Sequence, residues 1–313
     1  MNLVDFRSEA SLKPFTTLRA GGNAEHLMEV GGAEELASTA EFAFKTGEPV
    51  TLLGCGSNVL PSDSGIPGIV IINRDGRIKI SKGGEVVVDT GAAFQDLFLK
   101  TAQAGLGGLE FAVGIPGSVG GALVSNAGAY RSCISEFLTS IEIIDVDGRR
   151  WVEPSYMEFA YRDSVFRRSP GFRAVMLRAS FRLLKREPMS IYREARDYQR
   201  QRISKQPPGP SAGSFFKNVN DSELAARLSS LPEPLKKAGV VPAGYLIESV
   251  GLKGFRHGGA QFGQRHANFI LNTGNATASE IRELASIARH RVSEAHGVTL
   301  EEEVLYIGTW KAA

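Results

Sequence analysis

A chain of 313 residues, 42% hydrophobic and 22% charged, is long enough for two or three domains with ample core. Its formal net charge of +2 gives no reason to expect nucleic acid or a membrane surface as a partner. Two cysteines, Cys55 and Cys133, make no disulfide framework, and no apolar run nears the roughly 18 residues of a membrane span. With no apolar signal core at the N-terminus, the expectation is a cytoplasmic globular protein.

Residues 14–30 end in a short strand. Ala33 to Thr46 reads as an amphipathic helix with Leu36, Ala40, Ala43 and Phe44 on one face and Gly47 as its cap. A buried strand P-V-T-L-L-G follows and runs into G-C-G-S-N-V-L, Gly54 to Leu60. This starts like a dinucleotide-binding G-x-G-x-x-G and then fails it: Val59 replaces the third glycine, and Pro61, Ser62 and Asp63 stand where a helix would continue. The reading is a strand and a tight polar turn. G-I-V-I-I-N is a strand, and the stretch after it is a hairpin turned at Gly83-Gly84. Phe94 to Ala104 is a helix stopped by Gly105.

Glycine then stands at 105, 107, 108, 114, 117, 120, 121 and 128. Such a density is costly in helices and strands and suits backbone that approaches something closely. In G-I-P-G-S-V-G-G, Gly114 to Gly121, Pro116 adds stiffness, and successive N–H groups can form a nest for anionic oxygens. A phosphate-cradling loop for a dinucleotide is expected, with a packed glycine turn as the plainer alternative.

A second hairpin turns at Asp147-Gly148. Val175, Leu177, Ala179, Phe181 and Leu183 alternate with Met176, Arg178, Ser180 and Arg182, which predicts a half-buried strand. Lys185 to Lys205 is basic and helical in pattern, and Q-P-P-G-P-S-A-G, Gln206 to Gly213, can be neither helix nor central strand. A domain boundary is expected between Arg186 and Gly213. Helices follow near Asp221 to Ser229, Pro242 to Val250 and Ser279 to His296, the last with a Thr277/Glu280 capping box and Gly297 behind it. F-I-L-N and V-L-Y-I-G read as strands.

Five stretches in this order, L-L-G-C-G-S-N-V-L, G-I-P-G-S-V-G-G-A-L-V-S-N-A-G-A-Y, F-A-Y-R-D-S-V-F-R, S-A-G-S-F-F-K-N and E-E-E-V-L-Y-I-G, make the chain resemble the UDP-N-acetylenolpyruvoylglucosamine reductase (MurB) family from about Phe15 to Gly308. The compact segment after Lys217 is similar to the form lacking the tyrosine-loop insertion. The resemblance implies an α+β fold: a two-part FAD-binding unit of the vanillyl-alcohol-oxidase (PCMH) type over 1–190, divided into 1–66 and 67–190, then a smaller α/β substrate-binding domain over 200–298. The strand within 299–308 is expected to return toward the active site. The implied activity is reduction of UDP-N-acetyl-3-O-(1-carboxyvinyl)-glucosamine to UDP-N-acetylmuramate with NADPH through non-covalent FAD, a cytoplasmic step of peptidoglycan synthesis that serves cell shape and division. No obligate protein partner is implied.

By match, FAD would lie across Gly54, Gly56, Ser57, Asn58, Val59 and Leu60 in one loop and Gly114, Ile115, Pro116, Gly117, Ser118, Gly120, Gly121, Ala122, Asn126 and Gly128 in the other. Arg162 takes the family's catalytic arginine position, Ser214 the proton donor and Glu303 the acid; Glu302 stands where the family usually has proline, so two acidic neighbours compete for that role. Tyr161, Lys205, Lys217, Asn218 and His266 resemble substrate contacts, and Arg200, Arg202 and Lys205 are expected to face the UDP diphosphate of the substrate, with a solvated basic helix over Tyr192 to Arg202 as the plainer alternative. These residue types suit the chemistry. Hydride addition to the enol ether builds negative charge beside a carboxylate, which a guanidinium and a proton-bearing carboxyl stabilise. A serine hydroxyl delivers a proton only to a strongly basic carbon with help from a cation such as Lys217 or from water.

Taken singly, each has a plainer reading: an Arg162–Asp163 surface ion pair, a turn serine, a solvated acidic edge. The five histidines show no H-E-x-x-H spacing, so no metal is expected. Two other classes remain open. One is an FAD-dependent alcohol or sugar oxidase of the same fold, which often tethers its flavin through His or Cys. The other is a non-enzymatic nucleotide-binding protein, in which one of Arg162, Ser214 and Glu303 should be missing.

Overall fold

Local chemistry sets most element boundaries. Ala33–Thr46 is a helix whose left-handed Gly47, φ 73°, returns its N–H to Ala43, and Leu36, Ala40 and Ala43 on its inner face are buried. Ala278–His296 begins in a complete capping box between Thr277 and Glu280 and ends at left-handed Gly297. The computed structural model describes residues 5–169 and 174–310, so the first four residues of the N-terminal segment lie outside the described residues. Among the described residues no helix is long and apolar enough to cross a membrane.

The chain divides by its contacts into two units. The first takes the chain up to Ala10, Ala24–Gly56 and Ile66–Ser204. It holds a four-stranded sheet in the order Arg7–Ser11, Asn23–Val30, Ile66–Asn73, Val50–Leu53, in which the last three strands run parallel. It also holds a five-stranded antiparallel sheet in the order Gly148–Val152, Leu138–Asp145, Val175–Arg182, Glu85–Asp89, Ile78–Ile80. Both expected hairpins are present, at Gly83-Gly84 and at Asp147-Gly148.

Val175–Arg182 corrects an expectation. The alternation predicts one wet face, yet Met176 and Ser180 are buried as well as Leu177 and Ala179. The strand lies between two apolar clusters. Val175 and Leu177 join the one built on the helix Ala33–Thr46, while Met176, Ala179 and Phe181 join the one built on the helix Phe94–Gln103. Register shifts in its pairing with Leu138–Asp145 accompany this change of face.

The second unit takes Ser11–Asn23, Ser57–Gly65 and Lys205 onward. Its sheet runs Ser211–Ser214, Phe269–Asn272, Ala260–Phe262, Arg256–His257, all antiparallel, and its core draws on the helices Ala243–Ser249 and Ala278–His296. This division is less simple than 1–66, 67–190 and 200–298. Two early segments belong to the second unit because their partners are there. Leu18 and Ala20 are fully buried in its core, and the Asn272 amide donates to the Leu18 carbonyl at 2.9 Å. Val59–Pro61 pairs in parallel with Leu305–Ile307. Asp63 accepts from the N–H groups of Ala278 (2.9 Å) and Ser279 (2.8 Å), placing a carboxylate at the positive end of the long helix. The basic helix Pro188–Lys205 belongs, up to Ser204, to the first unit.

Candidate active site

In the first unit the two glycine turns lie against each other. A Cβ on Gly54 would stand 2.1 Å from the Ser118 hydroxyl oxygen, so the contact requires glycine. Gly56, Gly114 and Gly117 are left-handed, with φ 59°, 70° and 137°. The second turn is held from outside. Phe94 donates to the Gly117 carbonyl at 2.9 Å, Val119 to Ala92 at 2.9 Å and Gly120 to Thr90 at 2.8 Å. Ser118 caps the short helix Val119–Val124 by accepting from Gly121 at 3.2 Å.

The expected nest is therefore narrower than the motif implies, because the N–H groups of Val119, Gly120, Gly121 and Ala122 are used inside the protein. Among the described residues, those of Gly117 and Ser118, with Cys55 and Gly56 of the other turn, meet no protein acceptor. Bare backbone donors on left-handed turns suit a diphosphate that main chain must approach closely. Leu60 and Ala122, expected in the same loops, are buried in apolar cores, and Val59 is a strand residue. Ser57, Asn58, Val59 and Leu60 lie in the second unit.

Arg162 sits at the tip of a turn closed by Ala160–Asp163 backbone bonds of 3.1 and 3.2 Å. Its backbone is left-handed, φ 54°, as are those of Asn126, Tyr130, Arg131 and Glu158, so strained residues gather here. Cross-links fix the turn on the glycine-rich segment. Arg162 Nη2 donates to the Gly128 carbonyl at 2.5 Å, the Asn126 amide to the Ala160 carbonyl at 3.1 Å and the Ser164 hydroxyl to Val124 at 2.7 Å. The Arg162 guanidinium lies 5.6 Å from the centre of the half-exposed Tyr161 ring. Asp163 pairs with Arg168 at 2.7 Å, so its anchor is not the adjacent arginine.

The basic helix divides its cations. Arg200 is exposed and lies 3.9 Å from Asp197. Arg202 is half-buried, and its Nη2 donates to the Gly114 carbonyl at 3.2 Å. Burial lowers its pKa, the nearby Tyr130 opposes that, and the charge of Arg162 adds to it. Thus Arg202 attends the glycine turn of the first unit.

In the second unit the motif S-F-F-K-N is clamped on both sides. Asn268, 2% exposed, accepts from the Phe216 N–H at 2.9 Å and donates to the Phe216 carbonyl at 2.8 Å, while Phe215 donates to the Asn268 carbonyl at 2.7 Å. On the other side Glu303 donates to the Phe215 carbonyl at 2.8 Å and Lys217 to the Glu301 carbonyl at 2.9 Å. These bonds bring Ser214, Lys217 and Glu303 onto neighbouring backbone. The Asn58 amide donates to the Glu303 carbonyl at 3.1 Å, so the first glycine-rich loop also steadies the acid position.

The three glutamates separate. Glu301 pairs with the Lys217 ammonium at 2.5 Å; the lysine side chain is 11% exposed and the glutamate 70%. Glu302 pairs with Arg289 at 3.3 Å. Along extended backbone Glu303 faces opposite to Glu302. Asn218 spends its carbonyl oxygen on the Ala243 N–H at 3.2 Å, at the start of the helix Ala243–Ser249. His266 Nδ1 accepts from the Asn268 N–H at 3.2 Å, which places the proton of the neutral ring on Nε2. Burial, then the charge of Lys205, lowers the His266 pKa.

The motifs did not single out Asn268 or Arg289, and they placed Arg202 at a diphosphate of the substrate and Asp63 in a tight turn. Asn268 had a detectable signal, an amide beside an apolar strand in H-A-N-F-I-L-N. The others act through contacts between segments distant in sequence.

Residues 24–152 match an FAD-binding domain, and residues 202–307 match the C-terminal domain of UDP-N-acetylenolpyruvoylglucosamine reductase. The UDP-N-acetylenolpyruvoylglucosamine reductase of Synechococcus sp. strain JA-3-3Ab is 40% identical over 96% of this chain and 90% of its own length. That of Thermotoga sp. strain RQ2 is 38% identical over 96% and 93%. The crystal structure of the Thermus caldophilus enzyme superposes with a TM-score of 0.75 at 34% identity, covering 96% of this chain and 99% of that one. The α+β fold of an FAD-binding unit followed by a smaller reductase-type domain is thereby established, and the chain belongs to the UDP-N-acetylenolpyruvoylglucosamine reductase family.

Proposed function

We propose that this protein reduces the enolpyruvyl ether of UDP-N-acetylglucosamine to UDP-N-acetylmuramate, with NADPH as reductant, in the cytoplasmic synthesis of peptidoglycan. The observation that carries the reading is the S-F-F-K segment clamped between Asn268 and the extended segment 301–303, which holds Ser214 beside the backbone of Glu303. FAD, when bound, supplies the relay that turns NADPH oxidation into hydride addition at the vinyl carbon.

The residues present suit that cofactor. The bare N–H groups of Cys55, Gly56, Gly117 and Ser118 offer close backbone approach, Gly54 lets the two turns pack, and Pro116 and Ile115 complete the second turn. Arg162, preset by its strained turn, opposes the negative charge that develops next to the substrate carboxylate. Glu303 lends a proton-bearing carboxyl to the same charge. Ser214 hands its proton to the carbon once that carbon is strongly basic. Lys217 adds a cation near the serine, tempered by Glu301. Lys205, with the neutral ring of His266 near it, is proposed to receive the UDP end, and Tyr161 and Asn218 to border the substrate.

The test is an absorbance spectrum of the purified protein, then anaerobic NADPH, then the enolpyruvyl substrate. The yellow flavin bands should bleach with NADPH and return with substrate. Bands that bleach with an alcohol or sugar and return only with oxygen would favour an oxidase. A protein that takes up no FAD would refute both.

A further inference from the structure

We propose that Arg202 is an anion-binding residue of the FAD-bearing unit, pairing with a negatively charged group of the bound dinucleotide; this rests on the FAD reading above. Arg202 stands near the end of an 18-residue helix, where its guanidinium reaches back to the second glycine turn. Its Nε is buried and has no hydrogen-bond partner. A Cβ on Gly114 would lie 3.4 Å from that Nε, so the guanidinium packs directly on the loop backbone. Arg202 donates to the Gly114 carbonyl and Arg162 to the Gly128 carbonyl of the same glycine-rich segment, and the charge of Arg162 opposes that of Arg202. A half-buried cation with an unsatisfied donor beside a second cation is costly unless an anion completes it.

The placement is built. The Tyr130 and Tyr198 rings stack at 3.9 Å and 7°, and the Tyr130 hydroxyl donates to the Tyr198 carbonyl at 3.0 Å. Tyr198 donates to Glu194 at 2.9 Å, Glu194 pairs with Arg186, and Arg186 pairs with Glu110 at 2.6 Å on the glycine-rich segment. These contacts hold the helix at Glu194 and Tyr198, about two turns and one turn before Arg202.

Two anions of the dinucleotide share this chemistry: the diphosphate and the reduced flavin ring. The experiment measures Arg202→Gln in the holoenzyme on two scales, FAD dissociation by ultrafiltration and the flavin midpoint potential. Loss of a charged hydrogen bond should raise the dissociation constant by about 10- to 100-fold if the diphosphate is the partner. A lower midpoint potential with unchanged retention of oxidised FAD assigns the ring. Either result supports the proposal. Unchanged values on both scales overturn it, including the case in which substrate affinity alone falls. Should Arg202→Gln fail to fold, Arg202→Lys is read instead: it keeps the charge but lacks the fork, so FAD retention or potential should still fall, and no change overturns the proposal. Wild-type protein that takes up no FAD would defeat the functional reading itself, which is a separate result.

Discussion

Asn268 forms both hydrogen bonds of Phe216, accepting from its N–H at 2.9 Å and donating to its carbonyl at 2.8 Å. A buried side-chain amide here replaces a strand neighbour, because the pairing of Ser211–Ser214 with Phe269–Asn272 stops at Ser214. Asn268→Ala would leave two buried backbone groups unpaired, at a cost of about 2–5 kcal/mol. Thermal unfolding should show the loss. Reoxidation of reduced flavin by the enolpyruvyl substrate should slow because Ser214 loses its support, while flavin reduction by NADPH survives. A stability loss below about 0.5 kcal/mol would mean that the segment holds itself.

Gly117→Val should weaken FAD binding more than folding. Residue 117 has φ 137°, which valine adopts only under strain, and its N–H is among those that meet no protein acceptor. The readout is retained flavin per chain against the melting temperature. Normal flavin content would show that this turn does not touch the cofactor.

Glu302 and Glu303 are adjacent in sequence and differ in partner. Glu302 is engaged with Arg289, so Glu302→Gln should reduce turnover by no more than a few fold. Glu303→Gln should reduce it by about 10²- to 10³-fold, the range for a lost charge stabiliser. Steady-state rates of both variants decide the matter, and equal effects would remove the distinction.

Glu34 should contribute to acid sensitivity. Hydrogen bonds from Arg149, then Arg178, lower its pKa from 4.5 to about 2. The unfolded chain takes up this proton near the ordinary value, whereas the folded chain resists until about 2, so the contribution is present at neutral pH and is lost as pH falls through that window. The carboxylate is 71% exposed, so the effect is small and screened by salt. In urea melts at low ionic strength, Glu34→Gln should be less stable than wild type near neutrality, and the gap should close toward pH 2. A gap that stays constant would assign the loss to packing.

How much was legible in the sequence follows from the range of each interaction. The helices Ala33–Thr46 and Ala278–His296 were readable because caps and apolar faces are local. The Gly54–Leu60 turn was readable because Val59 replaces the third glycine and Pro61 stands where a helix would continue. The strand Val175–Arg182 was misread because alternation cannot reveal a second layer on its other face. At the site, S-A-G-S-F-F-K-N carried its own signal. Arg202 was read as a cation facing a diphosphate, but its place on the Gly114 turn was hidden, since its direction depends on a tyrosine stack between residues 130 and 198. The unit boundary was likewise hidden, because Leu18 and Asp63 find their partners more than 200 residues later.

Ser214→Ala should separate the two half-reactions. NADPH reduces flavin without a carbon acid, so bleaching should keep its rate. Reoxidation by the enolpyruvyl substrate should slow by about 10²- to 10⁴-fold, the range for a lost general acid. Ser214 follows left-handed Gly213, φ 76°, and its strand ends there, so the change removes a hydroxyl and leaves the turn in place. Flavin content and melting temperature should therefore stay near wild type. Ser214→Cys should recover part of the rate, because a thiol is the more acidic donor. Arg162→Ala should slow the same second step through lost charge stabilisation, and it should also loosen the turn that donates to Gly128. Stopped-flow traces on anaerobically reduced enzyme measure each step directly. Near-normal reoxidation in Ser214→Ala would make this serine a turn residue, and Lys217, the cation on the same clamped segment, would become the next proton donor to test.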